Sequence, residues 1–232
     1  MRCAGHSRTV ATATYHARVD AMTDRAWLAD WRRRMAEVYA EVRATAATDP
    51  EAAWNHWRSE RAALYRGHPQ SPVPAAERPA FRARHWPYDA RLRWELEIET
   101  GARVAAAPLA LPNSGAEGLA FDRVGSVRLP LAAVPGSPAG VLGLFWMRGY
   151  AGGLFLPFRD GTGGAETYGA GRYLLDTAKG ADLGGDPATG RLVVDLNFAY
   201  HPSCAFDPRW ACPLAPPENR IASRIEAGER LR

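Results

Sequence analysis

The spacing of apolar residues changes character near residue 90, and that change restricts the fold more than any other feature. Upstream, apolar side chains recur at helical intervals. Downstream, Leu92, Trp94, Leu96 and Ile98 alternate with Arg91, Arg93, Glu95, Glu97 and Glu99. Strict alternation gives a strand with one dry face and one wet face. The rest of the chain must cover that dry face. Further strand candidates fall at 102–108, 118–124, 126–132, 141–148, 153–158, 166–175 and 191–199, most of them separated by Gly, Pro or Asn breaks. No helical stretch lies between them to make a crossover, so the sheet is expected to be antiparallel. The expected class is α+β, mainly β, with two N-terminal helices packed on an antiparallel barrel or sandwich, calycin-like or split-barrel-like.

The helices carry their own signals. Trp27, Trp31, Val38 and Val42 place a helix over about Asp24 to Arg43, with Thr23 or Asp24 as its cap. A second starts where Asp49 caps, Pro50 takes the first helical position and Glu51 meets the positive end of the dipole. Trp54, Trp57, Arg61 and Leu64 mark one face, and Gly67 ends the helix. The tryptophans of both helices are read as packed between the helices and the body. The expected organisation is a disordered extension over 1–22 and one domain over 23–232. That domain comprises a helical pair (23–67), a Pro-rich connecting loop (68–90) and a β-rich body (91–232).

Composition narrows the function classes. The 232-residue chain carries a net charge of +4, but of its 29 basic residues only Lys179 is lysine, and the arginines are dispersed. The one dense run, Arg32-Arg33-Arg34, is flanked by acids on a helix and reads as a solvated face. Nucleic acid is therefore not an expected partner. No apolar run reaches the roughly 18 residues of a membrane span, and residues 1–22 lack the apolar block of a secretory signal. Three widely spaced cysteines, Cys3, Cys204 and Cys212, are no disulfide framework, so a reducing, cytoplasmic location is expected.

Three segments of the last third differ from ordinary core strands: 158–174, 194–206 and 212–220, the chain then closing through Ala227-Gly228-Glu229. Asp160 to Gly164 reads as a tight turn, with anion binding by its N–H groups as a second possibility. Gly169 and Gly171 sit in a strand-like stretch whose alternation puts Tyr168, Ala170 and Arg172 on one face, either as a polar site or as a surface pair. Asp195 and Asn197 form a polar pair at a strand end. His201, Cys204 and Cys212 lack the tight spacing of a zinc site and read as a histidine beside inert thiols. His68, in His-Pro-Gln-Ser, is a structural loop residue or a lid donor, and Glu218-Asn219 after two prolines is a cap or an acid supply.

These same segments resemble the actinobacterial and archaeal proteins grouped as domain of unknown function 1684. The likeness is carried by Thr-Tyr-Gly-Ala-Gly-Arg-Tyr-Leu, by Asn-x-Ala-Tyr-x-Pro-x-Cys, by Cys-Pro-Leu-x-Pro-Pro-Glu-Asn-Arg and by the final Ala-Gly-Glu. It extends to the Trp-Arg helices and the His-Pro-Gln-Ser-Pro loop, about residues 24–230. The chain departs from the pattern in reading Asp-Gly-Thr-Gly-Gly at the first turn and in having His201 where the family usually has Asn. The resemblance implies a fold and a pocket, not a reaction.

From the residues themselves, the expected function is a small-molecule pocket protein, leaning to a metal-independent enzyme for a small polar or carboxylated metabolite. Tyr168 and Arg172 would orient the substrate, with Asp160, His68 or Glu218 as acid or base. Thr162, Asn197, Tyr200 and Asn219 are the candidate ligand-binding residues. The alternative is a non-catalytic ligand-binding β-barrel, or a flavin-binding split barrel, flavin being the one cofactor considered. A homodimer is compatible with either.

Overall fold

The computed structural model describes residues 7–101, 109–112, 119–131, 140–150 and 152–231, with side chains from Met22 onward. The strand candidate at 102–108 and Cys3 lie outside the described residues.

Helix α1 (Ser7–Ala46) begins well before the expected Asp24. Of the expected extension, residues 1–6 are not described and the following ones enter only as α1 backbone. Helix α2 (Pro50–Gly67) starts as anticipated: the Asp49 carboxylate accepts from Ala52 N–H at 2.9 Å, and Pro50 opens the first turn. Trp54 and Trp57 are buried against the body, whereas Trp27 is 41% exposed and stands edge-on to His68. The expectation that all the helix tryptophans are buried therefore fails at Trp27, whose ring meets the His68 edge instead of the body.

Among the described residues ten short strands follow in three antiparallel sheets. The largest has the order β3 (Leu109–Ala110), β4 (Ala120–Leu129), β5 (Gly140–Met147), β6 (Gly153–Phe158), β7 (Arg172–Asp176). A three-stranded sheet contains β2 (Arg93–Glu97), β9 (Arg191–Asp195) and β8 (Gly185–Asp186), and β1 (Arg84–His85) pairs with β10 (Glu229–Arg230). The two larger sheets touch through single bridges, Glu99 with Ser126 and Tyr173 with Tyr200. No closed barrel forms among the described residues. The 3-10 turn Leu196–Phe198 ends β9 before it can pair continuously with β7.

The alternation of the first expected strand is realised: Leu92 is buried in the main core, Trp94, Leu96 and Ile98 pack half-buried against it, and Glu95 and Glu97 face solvent. The expected strands 118–124 and 126–132 form one strand, β4, interrupted only by a bulge between Arg123 and Gly125. Gly125 is required there, since a Cβ would stand 2.7 Å from Ile98 Cγ2. The expected strand 166–175 starts only at Arg172. Gly171 at φ 108° turns the chain, and its N–H bonds Tyr168 C=O at 2.9 Å. Tyr168 and Arg172 therefore do not share a strand face: Arg172 is buried and Tyr168 is half-exposed.

The core lies between the helices and the sheets. Tyr39, Val42, Trp54 and Trp57 meet Leu129, Leu142, Leu144, Leu156 and Phe198. The indole N–H of Trp54 donates to Asn197 C=O at 2.8 Å, so the helical pair is joined to the body by a directional bond as well as by apolar burial. The last residues, Ile221 to Arg230, run back across the domain and end in β10, beside the Pro-rich loop.

Candidate functional site

Two buried arginines determine where that tail lies. Arg61 follows Trp57 by one turn on the buried face of α2 and is 3% exposed. It donates to Glu229 Oε1 at 3.1 Å and to Tyr65 Oη at 2.6 Å, with its guanidinium over the rings of Tyr65 and Tyr200. Arg172 at the start of β7 is 1% exposed and donates to Asp160 Oδ1 (3.1 Å), to the carbonyls of Ile225 and Glu229 (both 3.2 Å) and to Ala227 C=O. Asp160 accepts in turn from Ile225 N–H at 2.7 Å and from Thr162. An unpaired charge at such depth would cost several kcal/mol, so Arg61 fixes the tail through the Glu229 carboxylate, and Arg172 fixes it through the tail's own carbonyls while Asp160 neutralises it.

Glu229 also accepts at Oε2 from the backbone N–H of His201 at 2.8 Å, and His201 Nδ1 stands 3.8 Å from the same oxygen. Burial would raise its carboxyl, but Arg61, with His201 and His85, holds it at about 2. Burial pushes both His201 and His85 down to about 4, against the opposite pull of Glu229, so both rings are neutral near pH 7. His201 Nε2 is occupied by Tyr168 N–H at 3.2 Å, whereas His85 Nε2 is buried without a partner.

Over this buried layer lies an open cleft of about 370 Å³, between residues 77–84 and the C-terminal strand. His201, Phe206 and Glu229 line its floor, and Arg82, Arg84 and Arg230 its walls. Arg84 and Arg230 stand directly opposite each other in the β1–β10 ladder. Like charges so placed repel, and Arg230 Nε is buried without a hydrogen-bond partner.

The residues singled out from sequence are spread through the domain. Asp160, Thr162 and Arg172 come together under the tail, with Thr167 closing the turn through a 2.9 Å bond to Thr162 Oγ1. Tyr200 lies beneath Arg61, and Tyr168 reaches the same region through His201 and Cys204. Asn197 serves a separate network, holding Asp89 and Asp195 at 2.8 to 2.9 Å. Asn219 bonds both the N–H and C=O of Gly143 and the C=O of Pro157, while Glu218 is 41% exposed and pairs with Arg123 at 2.9 Å. His68 accepts from Gln70 N–H and faces Asp30 at 3.2 Å, joining the two helices at the end away from their connecting turn. None of these nine residues lines the cleft. Sequence reasoning passed over Arg82, Arg84 and Arg230, and it gave Arg61 and Glu229 no part in a site. For Arg61 a signal was present, since a lone cation within an apolar helix stripe calls for a buried partner. Among the described residues no three His, Cys, Asp or Glu side chains are placed to hold a metal ion, and no helix is long and apolar enough to cross a membrane.

Fold and site together define a mainly antiparallel domain with two N-terminal helices and a C-terminal strand clamped by buried arginine–carboxylate pairs. A family model described as protein of unknown function (DUF1684) matches residues 82–230, and the chain belongs to that family. It is similar to the uncharacterized protein of Haloarcula marismortui whose structure was solved by solution NMR. The two share 27% identity with a TM-score of 0.52, over 75% of this chain and 90% of that one. No curated protein matches the chain.

Proposed function

We propose that the chain binds a small carboxylated metabolite in the cleft between residues 77–84 and β10, with Arg84 and Arg230 receiving the carboxylate. The carrying observation is the direct opposition of Arg84 and Arg230 across the β1–β10 ladder. Two facing guanidiniums destabilise a ladder unless an anion lies between them. The carboxylate on the cleft floor, Glu229, is already neutralised by Arg61, and Glu77 is one acid against Arg82, Arg84 and Arg230, so the lining keeps a cationic character. Phe206 and Leu231 offer apolar surface to the rest of such a ligand.

A catalytic version rests on His201, a neutral imidazole lining the cleft with Glu229 behind its Nδ1. To act as a base it would have to release Tyr168 N–H from Nε2. Binding without turnover asks for no such rearrangement and is the reading preferred.

The test is titration calorimetry with a panel of mono- and dicarboxylates, on the wild type and on Arg84→Ala. Arg84 is exposed, so its loss leaves the fold intact. At least one carboxylate is expected to bind, with affinity falling about tenfold or more in the variant. Equal affinity in both proteins, or no binding across the panel, would remove the cleft from consideration. His201→Gln separates the two versions: in an enzyme it abolishes turnover and spares affinity.

A further inference from the structure

A second cavity is unlike the cleft in character. It encloses about 270 Å³ between β4–β6 and the 3-10 turn Thr177–Lys179. Its interior is apolar, formed by Leu119, Phe121, Met147, Leu154, Phe155 and Pro213, and at its mouth stand Arg32, Lys179 and Asp176.

Three observations concern that mouth. Lys179 is the single lysine in a chain that otherwise uses arginine for its positive charge. It lies 3.5 Å from Asp176, which keeps the ammonium protonated and makes it a fixed charge rather than an amine nucleophile. Arg32 is the member of the Arg32-Arg33-Arg34 run that Asp30 does not hold: Arg33 and Arg34 bond Asp30 at 2.7 and 2.8 Å, and Arg32 turns to the cavity. Two cations against one carboxylate leave the opening with one net positive charge.

The turn that carries Lys179 is also held rigidly. Thr177 Oγ1 accepts from Leu154 N–H at 2.8 Å, and Asp176 and Ala181 exchange both backbone bonds. Gly180 adopts φ 88° so close to α1 that a Cβ would stand 3.0 Å from Ala36 N. A charge fixed in place over a preformed apolar cavity loses little freedom when an anion arrives.

We propose that this cavity is a second binding site, for a monocarboxylate with an apolar body, either a medium-chain fatty acid or an aryl-alkyl acid. The carboxylate would sit between Arg32 and Lys179, and the chain or ring would contact Phe121, Leu154 and Phe155. The size fits: a dry cavity of about 150 Å³ takes benzene, so one nearly twice as large holds a ring or short chain with a carboxyl group. An ammonium and a guanidinium at an apolar mouth select an anionic head over a neutral one. The proposal is independent of the cleft, since the two sites share no residue.

Because Lys179 is the only lysine, it is its own reporter. Reductive methylation with ¹³C-formaldehyde labels Lys179 and the terminal amine alone and preserves their charge. Titrating octanoate is expected to move the Lys179 methyl resonance saturably below about a millimolar, with 1-octanol at least about tenfold weaker. Arg32→Gln, read by the same signal, and Lys179→Met, read by calorimetry, should each weaken octanoate about tenfold, and Arg84→Ala should leave it unchanged. Equal binding of octanol and octanoate, a Lys179 signal that does not move, or loss of octanoate binding in Arg84→Ala would each overturn the proposal.

Discussion

Arg61 and Glu229 lie 168 residues apart in sequence and 3.1 Å apart in space, each almost wholly buried. Through this bond helix α2 and the last strand are one structural unit. The rings of Tyr65 and Tyr200 around the guanidinium replace the water it has lost.

Removing one partner leaves the other charge buried alone. Arg61→Met is expected to lower unfolding free energy by about 3–5 kcal/mol, and Arg61→Met with Glu229→Gln to recover part of that loss. Urea denaturation of both variants checks this. A double variant as unstable as the single one would mean that packing around Arg61, not charge, carries the cost.

The same cluster sets a pH dependence. His85 and His201 drop from an ordinary 6.5 to about 4 on folding, so the unfolded chain takes up protons first as pH falls. Their stabilising contribution is complete above about 6.5 and is lost toward 4. Asp195, raised by burial from 3.8 to about 6, acts in the opposite sense and offsets part of this fall. Glu229, held at about 2 instead of 4.5, adds a further loss below 4.5. Stability measured in urea should therefore decline from pH 6.5 to 4, less steeply in His85→Phe and more steeply in Asp195→Asn.

Gly169 and Gly171, two residues apart, should respond very differently to alanine. A Cβ on Gly171 would stand 2.5 Å from Phe158 C=O at φ 108°, whereas at Gly169 the closest atom is 3.6 Å away. Gly171→Ala is expected to cost at least about 2 kcal/mol, from the handedness penalty plus the clash, and Gly169→Ala less than about 1 kcal/mol. Thermal melts of the pair decide it.

Asn219 imitates a missing strand. Fully buried, it bonds the N–H and C=O of Gly143 at 2.7 and 2.9 Å and the C=O of Pro157 at 2.6 Å, where β6 has its bulge. Asn219→Ala orphans these three groups and should cost about 2–3 kcal/mol. Hydrogen exchange at Gly143 should accelerate in the variant; unchanged protection would refute the role.

Cys204 and Cys212 are neighbours, Cys204 N–H donating to Cys212 Sγ at 3.3 Å, and both are buried. The Cys204 contact, then burial, pushes the Cys212 thiol well up, which disfavours the reactive thiolate. In a Cys3→Ser protein an aromatic disulfide reagent should find no thiol at neutral pH until denaturant is added, and then two. Prompt reaction in the native protein would show the pair to be open.

What the sequence determined by itself was local. The alternation from Leu92 to Ile98, the cap at Asp49 and the tight turn after Asp160 follow from side-chain periodicity and backbone preference over a few residues. The motif likeness led to the family for the same reason, since contiguous residues carry it. The tertiary structure decided the rest. Nothing near Arg172 in sequence indicates that its guanidinium is taken up by the carbonyls of residues 225–229, or that Arg84 will face Arg230 across a ladder. Alternation could place Tyr168 and Arg172 on one face only if the strand ran through Gly171, and a positive φ there ends it. Burial and pairing depend on which distant segments return to a point, and this chain brings its last residues back over its first helices.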